Sequence, residues 1–235
     1  MASEDVIQRI DQGMRVQFGN LETALAGGAK HIGWKIGITA KAAQVKYGLD
    51  GPIIAYLTDR TERPSGHVHP QRDGADFRVE AEIFLRMGED LGAGATLDEA
   101  RLAIAGMGPA IELIDLSHPG EPLDALLGHC IWHEAVLFGP ESAPGKFRGA
   151  DYAPLPQVLK NGEVARTPDD NLVPADLSAL ALHVANLLGR QGRRLKAGER
   201  IICGSFTVPL PVSAGDRIEV DFGDAGSVEL SIGAP

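Results

Sequence analysis

The stretch that decides the fold is a strand of alternating character, Arg78-Val79-Glu80-Ala81-Glu82-Ile83-Phe84-Leu85. Its odd-numbered residues are apolar and fall on one face, while Glu80 and Glu82 fall together on the other. Two residues apart, these carboxylates stand about 7 Å from each other at their Cα atoms, close enough for both to reach one ion. Like charges so placed repel, and a cation between them removes that cost. The alternative is an ordinary polar strand face exposed to solvent.

A third carboxylate interrupts a second apolar run, Pro109-Ala110-Ile111-Glu112-Leu113-Ile114-Asp115-Leu116. Glutamate is almost never fully buried unless it is paired or binds a metal. Glu112 therefore needs a partner, either a basic side chain or the same cation. Together the three glutamates favour a site for Mg²⁺ or Mn²⁺, because these ions prefer oxygen ligands.

A lysine lies within a third apolar strand, Gly33-Trp34-Lys35-Ile36-Gly37-Ile38. A lysine held in a low dielectric near a cation can exchange protons near neutrality, which suits general acid–base catalysis. The alternative is a lysine that reaches the surface or pairs with one of the glutamates.

These three segments resemble the signatures of the 2-keto-4-pentenoate hydratase and 4-oxalocrotonate decarboxylase family, within the fumarylacetoacetate hydrolase superfamily. The C-terminal stretch is also similar to this family in three places: Leu195 to Thr207, Ala214-Gly215-Asp216 and Gly226-Ser227-Val228. The resemblance runs from about Gln17 to the end of the chain.

The resemblance implies a divalent ion, Mg²⁺ or Mn²⁺, held by Glu80, Glu82 and Glu112. It implies that Lys35 transfers a proton at the substrate. It also implies that the loop Gly204-Ser205-Phe206-Thr207 lines the pocket, with Ser205 and Thr207 as substrate-binding residues. The family's substrates are 2-oxo acids or their enols.

The reaction implied is the hydration of a 2-hydroxy-2,4-dienoate to a 4-hydroxy-2-oxo acid, carried out by a hydro-lyase. A metal ion that stabilises negative charge on the 2-oxygen of the substrate would serve this reaction, and it would equally serve decarboxylation of a 2-oxo diacid or hydrolytic C–C cleavage of an acylpyruvate. These two reactions stay open, as does a non-catalytic subunit that binds an oxo acid.

One segment departs from the family's pattern. The hydratases carry an Asp-Asn-Ala-Ser-like run where this chain has His129-Cys130-Ile131-Trp132-His133-Glu134. Hydrolases elsewhere in the superfamily use a His-Glu pair to activate water. By this chemical analogy the pair His133 and Glu134, or His129, is a candidate for activating water. We take His133 and Glu134 as candidate catalytic residues and His129 as a candidate substrate-binding residue. The alternative is a pair of packing histidines near a core tryptophan.

The chain's 235 residues contain no linker and no repeat, which predicts one domain, 1–235. We expect a helical N-terminal segment, 1–28, and a catalytic β-rich core, 29–235. Apolar steps of three and four predict the helix, with Gly13 and Gly19 as candidate breaks. Thr39 is the predicted N-cap of a second helix.

Strands dominate the remaining pattern, and no Gly-rich dinucleotide motif opens a helix. The pattern alone predicts an α+β fold with much antiparallel sheet. The resemblance implies the mixed β-roll of the fumarylacetoacetate hydrolase type with a helical N-terminus.

Charge and cysteine content narrow the possible partners. The net charge of −10 and the pI of about 5.1 argue against nonspecific binding to nucleic acid. The two cysteines, Cys130 and Cys203, form no CxxC motif, and no apolar run approaches the length of a membrane span. We expect a cytoplasmic homo-oligomer that binds a small 2-oxo acid and neither nucleic acid nor membrane.

Overall fold

The structure is a computed structural model that describes residues 3–118, 120–143 and 155–234. The helices in this part of the chain are α1 (Glu4–Ala26), α2 (Lys41–Tyr47), α3 (Leu97–Ala103), α4 (Leu123–Gly128) and α5 (Leu177–Arg190). The strands are β1 (His31–Gly37), β2 (Ile53–Thr58), β3 (Glu62–Arg63), β4 (His67–Pro70), β5 (Phe77–Met87), β6 (Ile104–Asp115), β7 (His133–Phe138), β8 (Gln157–Lys160), β9 (Glu163–Arg166), β10 (Arg200–Ile202), β11 (Leu210–Pro211), β12 (Arg217–Asp221) and β13 (Ser227–Gly233).

The larger sheet has eight strands. It contains Lys35 in β1, Glu80 and Glu82 in β5, and Glu112 in β6. Its order is β2-β1-β10-β5-β6-β7-β3, with β11 paired to β5. Strands β5 and β6 are long, central and antiparallel, whereas β1 pairs with β10 in parallel. The predicted α+β fold with a mixed sheet is therefore confirmed.

The smaller sheet has five strands in the order β4-β13-β12-β8-β9. Its hairpin β8–β9 turns at Asn161 and Gly162, whose φ angles of 56° and 85° are those of a two-residue turn that suits the twist of the strands. One hydrophobic core includes apolar residues of both sheets and of α1, α4 and α5.

Helix α1 is continuous, so the predicted break at Gly13 or Gly19 is wrong. Gly13 is buried where α1 crosses α4, and a Cβ atom there would lie 2.7 Å from the Cβ of Leu127. The glycine thus serves close helix packing, and this contact outweighs its low helix propensity. The predicted N-cap is also wrong, because α2 begins after Ala40 without a side-chain cap, and Thr39 packs against Gly204 instead.

Among the described residues, none of the helices is both long and apolar enough to cross a membrane. Cys130 and Cys203 are free thiols.

A buried glutamine fastens α1 to the rest of the domain. The Gln17 side chain donates from Nε2 to the carbonyl of Ile54 in β2, at 3.2 Å, and to that of Leu127 in α4, at 2.9 Å. Helix α4 leads directly into the segment that precedes β7. The contact therefore fixes the chain just before residues that reach the candidate site.

We expect Gln17→Leu to lower the free energy of unfolding by about 1–3 kcal/mol, because two buried carbonyls lose a donor. Urea unfolding monitored by circular dichroism would measure the change. Gln8→Leu on the exposed side of the same helix is the matched control and should leave stability within about 0.5 kcal/mol. Equal effects of the two substitutions would contradict this account.

Candidate metal centre

The structure brings the three glutamates together on one face of the β5–β6 pair. Glu80 in β5 is directly opposite Glu112 in β6, and Glu82 follows two residues along β5. One carboxylate oxygen from each lies within 4.8 Å of the others. Glu82 and Glu112 are fully buried, so this is not the solvent-exposed strand face that the alternation alone also allowed.

The two oxygens of Glu112 have different surroundings. Its Oε1 accepts from the Lys35 ammonium at 2.5 Å and lies 2.7 Å from Nδ1 of His133. Its Oε2 is buried and has no hydrogen-bond partner in the described part of the chain. One oxygen of this carboxylate is thus anchored, and the other is left for a ligand.

The two oxygens of Glu82 also have different surroundings. Its Oε2 accepts from the backbone N–H of Gly204 at 2.8 Å, while its buried Oε1 has no donor among the described residues. Gly204 has a φ of 87°, and a Cβ atom there would meet Thr39 at 2.4 Å, so only glycine fits the position.

Burial and nearby charges shift the pKa values of the three carboxyl groups in this cluster. Burial, followed by the charge of Glu112, raises the pKa of Glu80 to about 7 and holds the pKa of Glu82 well above its usual range. Burial acts on Glu112 in the same direction, but Lys35 and His133 outweigh it and lower the pKa of that carboxyl. Glu112 is therefore the carboxylate whose charge the protein itself stabilises.

The cluster fits a divalent cation. Three carboxylates and one ammonium leave two negative charges when all are ionised, which is the charge that one divalent ion offsets. Two buried oxygens without donors, on Glu82 and Glu112, are available to such an ion. An all-oxygen set suits Mg²⁺ or Mn²⁺.

Lys35 reaches the carboxylates because the sheet is curled. Two strands, β10 and β5, separate β1 from β6. In a flat sheet their backbones would stand about 14 Å apart, yet the Lys35 and Glu112 side chains meet. Lys35 is only 2% exposed, and its Nζ also donates to the carbonyl of Ile131 at 2.9 Å.

A left-handed turn supplies that carbonyl. Cys130, Ile131 and Trp132 have φ angles of 55°, 54° and 61°, although none is glycine. This conformation is costly for residues with a Cβ atom, particularly a β-branched one. The turn is closed by the N–H of His133, which donates to the carbonyl of Cys130 at 3.2 Å.

The structure separates His133 from Glu134. Neighbours in a strand point to opposite faces. His133 contacts Glu112 and lies 3.0 Å from the Thr61 hydroxyl through Nε2. Glu134 instead accepts two hydrogen bonds from Arg72 and lies 3.3 Å from His69. The expected His-Glu pair is not formed, because each partner has its own contacts.

The structure also keeps His129 away from the site. Its side chain is 68% exposed and lies 3.1 Å from Glu121. It is not among the residues that line the pocket next to the carboxylates. The expected substrate-binding role of His129 is therefore not supported by its position.

The pocket beside the cluster has a volume of about 550 Å³. Its wall is largely apolar, and its polar side chains include Lys35, Lys41, Glu80, Asp169, Asn171, Ser205 and Thr207. Ser205 and Thr207 line this pocket, as the resemblance implies, and their binding of substrate stays a prediction. Ser205 donates to the backbone carbonyl of Thr207, whereas the buried Thr207 hydroxyl has no hydrogen-bond partner in the described ranges.

Sequence reasoning missed the Ile131 carbonyl, the Gly204 N–H and the Thr61 hydroxyl. The first two are backbone groups, which no side-chain pattern reveals. The only sequence feature that pointed to any of these three groups was the departure of the segment around Ile131 from the hydratase pattern.

Curated relatives resemble the chain along most of its length. A 4-oxalocrotonate decarboxylase from Pseudomonas sp. (strain CF600) is 28% identical over 199 residues, which cover 84% of this chain and 75% of the relative. A 2-keto-4-pentenoate hydratase from Dechloromonas aromatica (strain RCB) is 27% identical over 221 residues, covering 93% and 84%. No protein-family model matches the chain.

Solved structures agree with these relatives. The 4-oxalocrotonate decarboxylase of Pseudomonas putida G7 has a TM-score of 0.83 at 26% identity, covering 92% of this chain and 83% of the other. A fumarylpyruvate hydrolase from Pseudomonas aeruginosa shares the fold alone, with a TM-score of 0.65 at 14% identity and coverage of 88% and 90%. The resemblance to the hydratase and decarboxylase family and its superfamily fold is confirmed.

The buried carboxylates should make the metal-free protein less stable as pH rises. The pKa of Glu80 is raised from 4.5 to about 7 by folding, so its stabilising contribution is complete below pH 4.5 and is lost as pH rises through 7. Glu82 shifts in the same direction. Glu112 shifts oppositely, and its contribution is lost only in more acidic solution.

We expect the free energy of unfolding in chelator to fall by roughly 2 kcal/mol between pH 5 and pH 8. Urea titrations at several pH values would measure it, and saturating Mg²⁺ should remove most of the decline. Glu80→Gln should make the free energy of unfolding less dependent on pH, whereas Glu163→Gln, on the exposed hairpin, should not. A profile that Glu80→Gln leaves unchanged would show that Glu80 does not titrate in this window.

Proposed function

We propose that this relative of the 2-keto-4-pentenoate hydratases is a divalent-metal-dependent hydro-lyase that adds water to a 2-hydroxy-2,4-dienoate and gives a 4-hydroxy-2-oxo acid. The observation that carries the proposal is the cluster of three glutamates, two of them fully buried, beside a buried lysine at the wall of a largely apolar pocket. The solved decarboxylase to which the chain is similar is described with magnesium and adipate, which supports the same ion here.

Glu80, Glu82 and Glu112 would hold Mg²⁺ or Mn²⁺. When bound, the ion supplies a positive charge that stabilises negative charge developing on the 2-oxygen of the substrate. The Oε1 atom of Glu112 stays with Lys35 and His133, so the ion would draw on its Oε2 atom.

Lys35 is suited to moving the proton. An ammonium has three N–H donors, and two of them are directed to Glu112 and to the Ile131 carbonyl. The third is left for a substrate in the pocket that Lys35 lines. Fixed in this way, the amine can exchange a proton at one defined place.

The proposed reaction has two stages, formation of the conjugated ketone and addition of water. Lys35 donates a proton to carbon 5 as the π-electrons shift toward that carbon, and the 2-hydroxyl gives up its proton to the neutral amine, which yields the conjugated ketone and restores the ammonium. Water next adds its oxygen to carbon 4, and a proton reaches carbon 3. Both stages place negative charge on the 2-oxygen, so one cluster serves both.

Decarboxylation of a 2-oxo diacid is the second candidate. Two of the similar proteins reported above are decarboxylases, and one of them has a TM-score of 0.83 with this fold. The loss of CO₂ leaves the same negative charge on the 2-oxygen. Hydrolytic C–C cleavage is less favoured, because His133 and Glu134 do not contact each other: His133 contacts the cluster carboxylate Glu112, and Glu134 contacts Arg72.

A panel assay would test the proposed function. Purified protein with Mg²⁺ is mixed with a 2-hydroxy-2,4-dienoate, a 2-oxo-enedioate or an acylpyruvate, and the ultraviolet absorbance of the conjugated system is followed. We expect the dienoate to be hydrated fastest. Faster turnover of the diacid with release of CO₂ would identify a decarboxylase, and inertness toward all three would favour a non-catalytic binding subunit.

Activity should require a hard divalent cation. After treatment with a chelator the rate should fall to background, and Mg²⁺ or Mn²⁺ should restore it better than Zn²⁺, because the proposed ligands are oxygens. Glu82→Gln should weaken Mg²⁺ binding in calorimetry while the circular dichroism spectrum stays unchanged. Full activity of the stripped protein would refute the metal site.

Lys35→Ala should lower kcat by about 10²–10⁴-fold, the usual contribution of general acid–base catalysis. Its Mg²⁺ affinity should change far less, because the amine acts on the proton and not on the ion. Lys46→Ala, an exposed lysine on α2, is the matched control and should keep the parent rate. Unchanged turnover in Lys35→Ala would make Lys35 a structural residue.

A further inference from the structure

A β-bulge at the start of β7 directs His133 toward the carboxylate cluster. The strand partner of Glu112 is Val136. Two residues further along β6, the partner of Ile114 is His133 and not Glu134, so β7 has one extra residue here. Strict alternation from Val136 would have put Glu134 on the Glu112 face. The bulge therefore turns His133 to that face instead, as bulges often do beside functional sites.

Both ring nitrogens of His133 have partners. Nδ1 lies 2.7 Å from Oε1 of Glu112, and Nε2 lies 3.0 Å from the Thr61 hydroxyl. The side chain is 4% exposed, and His133 is not among the residues that line the pocket. A histidine enclosed in this way does not reach the substrate, so its effect on the reaction would act through Glu112.

The backbone of Thr61 is tied to the strands on both sides. Its N–H donates to the carbonyl of Thr58 in β2 at 3.1 Å, and its carbonyl accepts from the N–H of Val136 in β7 at 3.0 Å. Val136 is also the strand partner of Glu112. The Thr61 hydroxyl is therefore held at a fixed place next to Nε2 of His133.

This hydroxyl fixes which nitrogen of the imidazole carries a proton. A carboxylate only accepts hydrogen bonds, so Nδ1, which faces Glu112, is the nitrogen that donates. A hydroxyl can donate as well as accept, so Thr61 can supply the proton that Nε2 then accepts. The hydroxyl also lies 3.2 Å from the Thr58 carbonyl, but that carbonyl already has the Thr61 N–H as a donor.

The donor on Nδ1 matters most when Lys35 changes its charge. In the proposed reaction Lys35 gives a proton to carbon 5, and its positive charge then leaves the contact with Oε1 of Glu112. The hydrogen bond from His133 does not depend on that proton. Oε1 would thus keep a donor through the whole cycle, and the carboxylate would not rotate.

We propose that His133 is a positioning residue, oriented by Thr61, that holds Oε1 of Glu112 and so directs Oε2 to the metal ion. The proposal rests on the proposed function, because it requires the ion. It differs from the activation of water expected from the sequence. Hydrogen-bonding partners of a metal-ligating carboxylate typically contribute about 10–100-fold to metal affinity.

Two amide substitutions separate the two nitrogens of His133. The side-chain nitrogen of asparagine lies where Nδ1 is, and that of glutamine reaches the place of Nε2. We expect His133→Gln to weaken Mg²⁺ binding about 10–100-fold, and His133→Asn to stay within about 3-fold of the parent. Calorimetric titration with Mg²⁺ alone measures both without turnover. His118→Gln, at an exposed histidine, is the matched control and should change the affinity less than about 2-fold.

Thr61→Val and Thr61→Ser form a second pair, which stays informative if the His133 variants do not fold. Valine keeps the shape of threonine but lacks the hydroxyl, so Mg²⁺ binding should weaken about 3- to 10-fold, whereas serine should preserve it. The loss caused by Thr61→Val should disappear in the His133→Asn background, because asparagine is too short to reach Thr61.

Equal Mg²⁺ affinities of His133→Asn and His133→Gln, or of Thr61→Val and Thr61→Ser, would overturn the proposal and make His133 a packing residue. A purely structural role would lower the stability of both members of a pair without separating their affinities. If the parent protein itself binds no Mg²⁺, the proposed function fails too. If the parent binds the ion and only the differences within the pairs are missing, the proposed function stands and the positioning role alone is removed.

Discussion

The contact between the Lys35 ammonium and Glu112 is the interaction on which the rest of the site depends. A carboxylate cannot remain ionised in a fully buried position without compensation, and Glu112 has no exposed surface. Lys35 and His133 provide that compensation and lower the pKa of Glu112 against the effect of burial. Because β1 and β6 are separated by two strands, the same contact requires the sheet to curl. Lys35 in β1 and Glu80 in β5 both line the pocket.

The left-handed turn before β7 links this contact to the substrate pocket. Its middle residue, Ile131, presents a carbonyl to Lys35, while the next residue, Trp132, lines the pocket. Gly37 makes room for the turn, since a Cβ atom there would lie 2.9 Å from the Ile131 side chain. Three successive residues in this conformation are costly, and the surrounding contacts must offset that cost. The turn thus connects the position of Lys35 to the shape of the pocket.

In the proposed function, the end of the pocket at the carboxylates and the distal end have different tasks. In the proposed function the carboxylates and Lys35 would stabilise an enolate whatever the tail of the substrate is, which is consistent with the similarity of this chain to both a decarboxylase and a hydratase. Discrimination between substrates with different tails would then come from the apolar pocket wall beyond Glu112 and from the few polar groups in that wall. In this chain that wall includes Trp132, at a place where the hydratase pattern has small polar residues.

The sequence by itself determined the local relations. Alternation in β5 put Glu80 and Glu82 on one face, and the apolar surroundings of Glu112 showed that it needed a partner. Both follow from a two-residue period and from the cost of burying a charge, which depend only on neighbours along the chain. Only the tertiary structure decided that Glu80 is opposite Glu112, that Lys35 and His133 share one oxygen of Glu112, and that His129 and Glu134 lie elsewhere. Strand register, sheet curl and a left-handed turn without glycine arise from contacts between segments distant in sequence, which a local pattern does not contain.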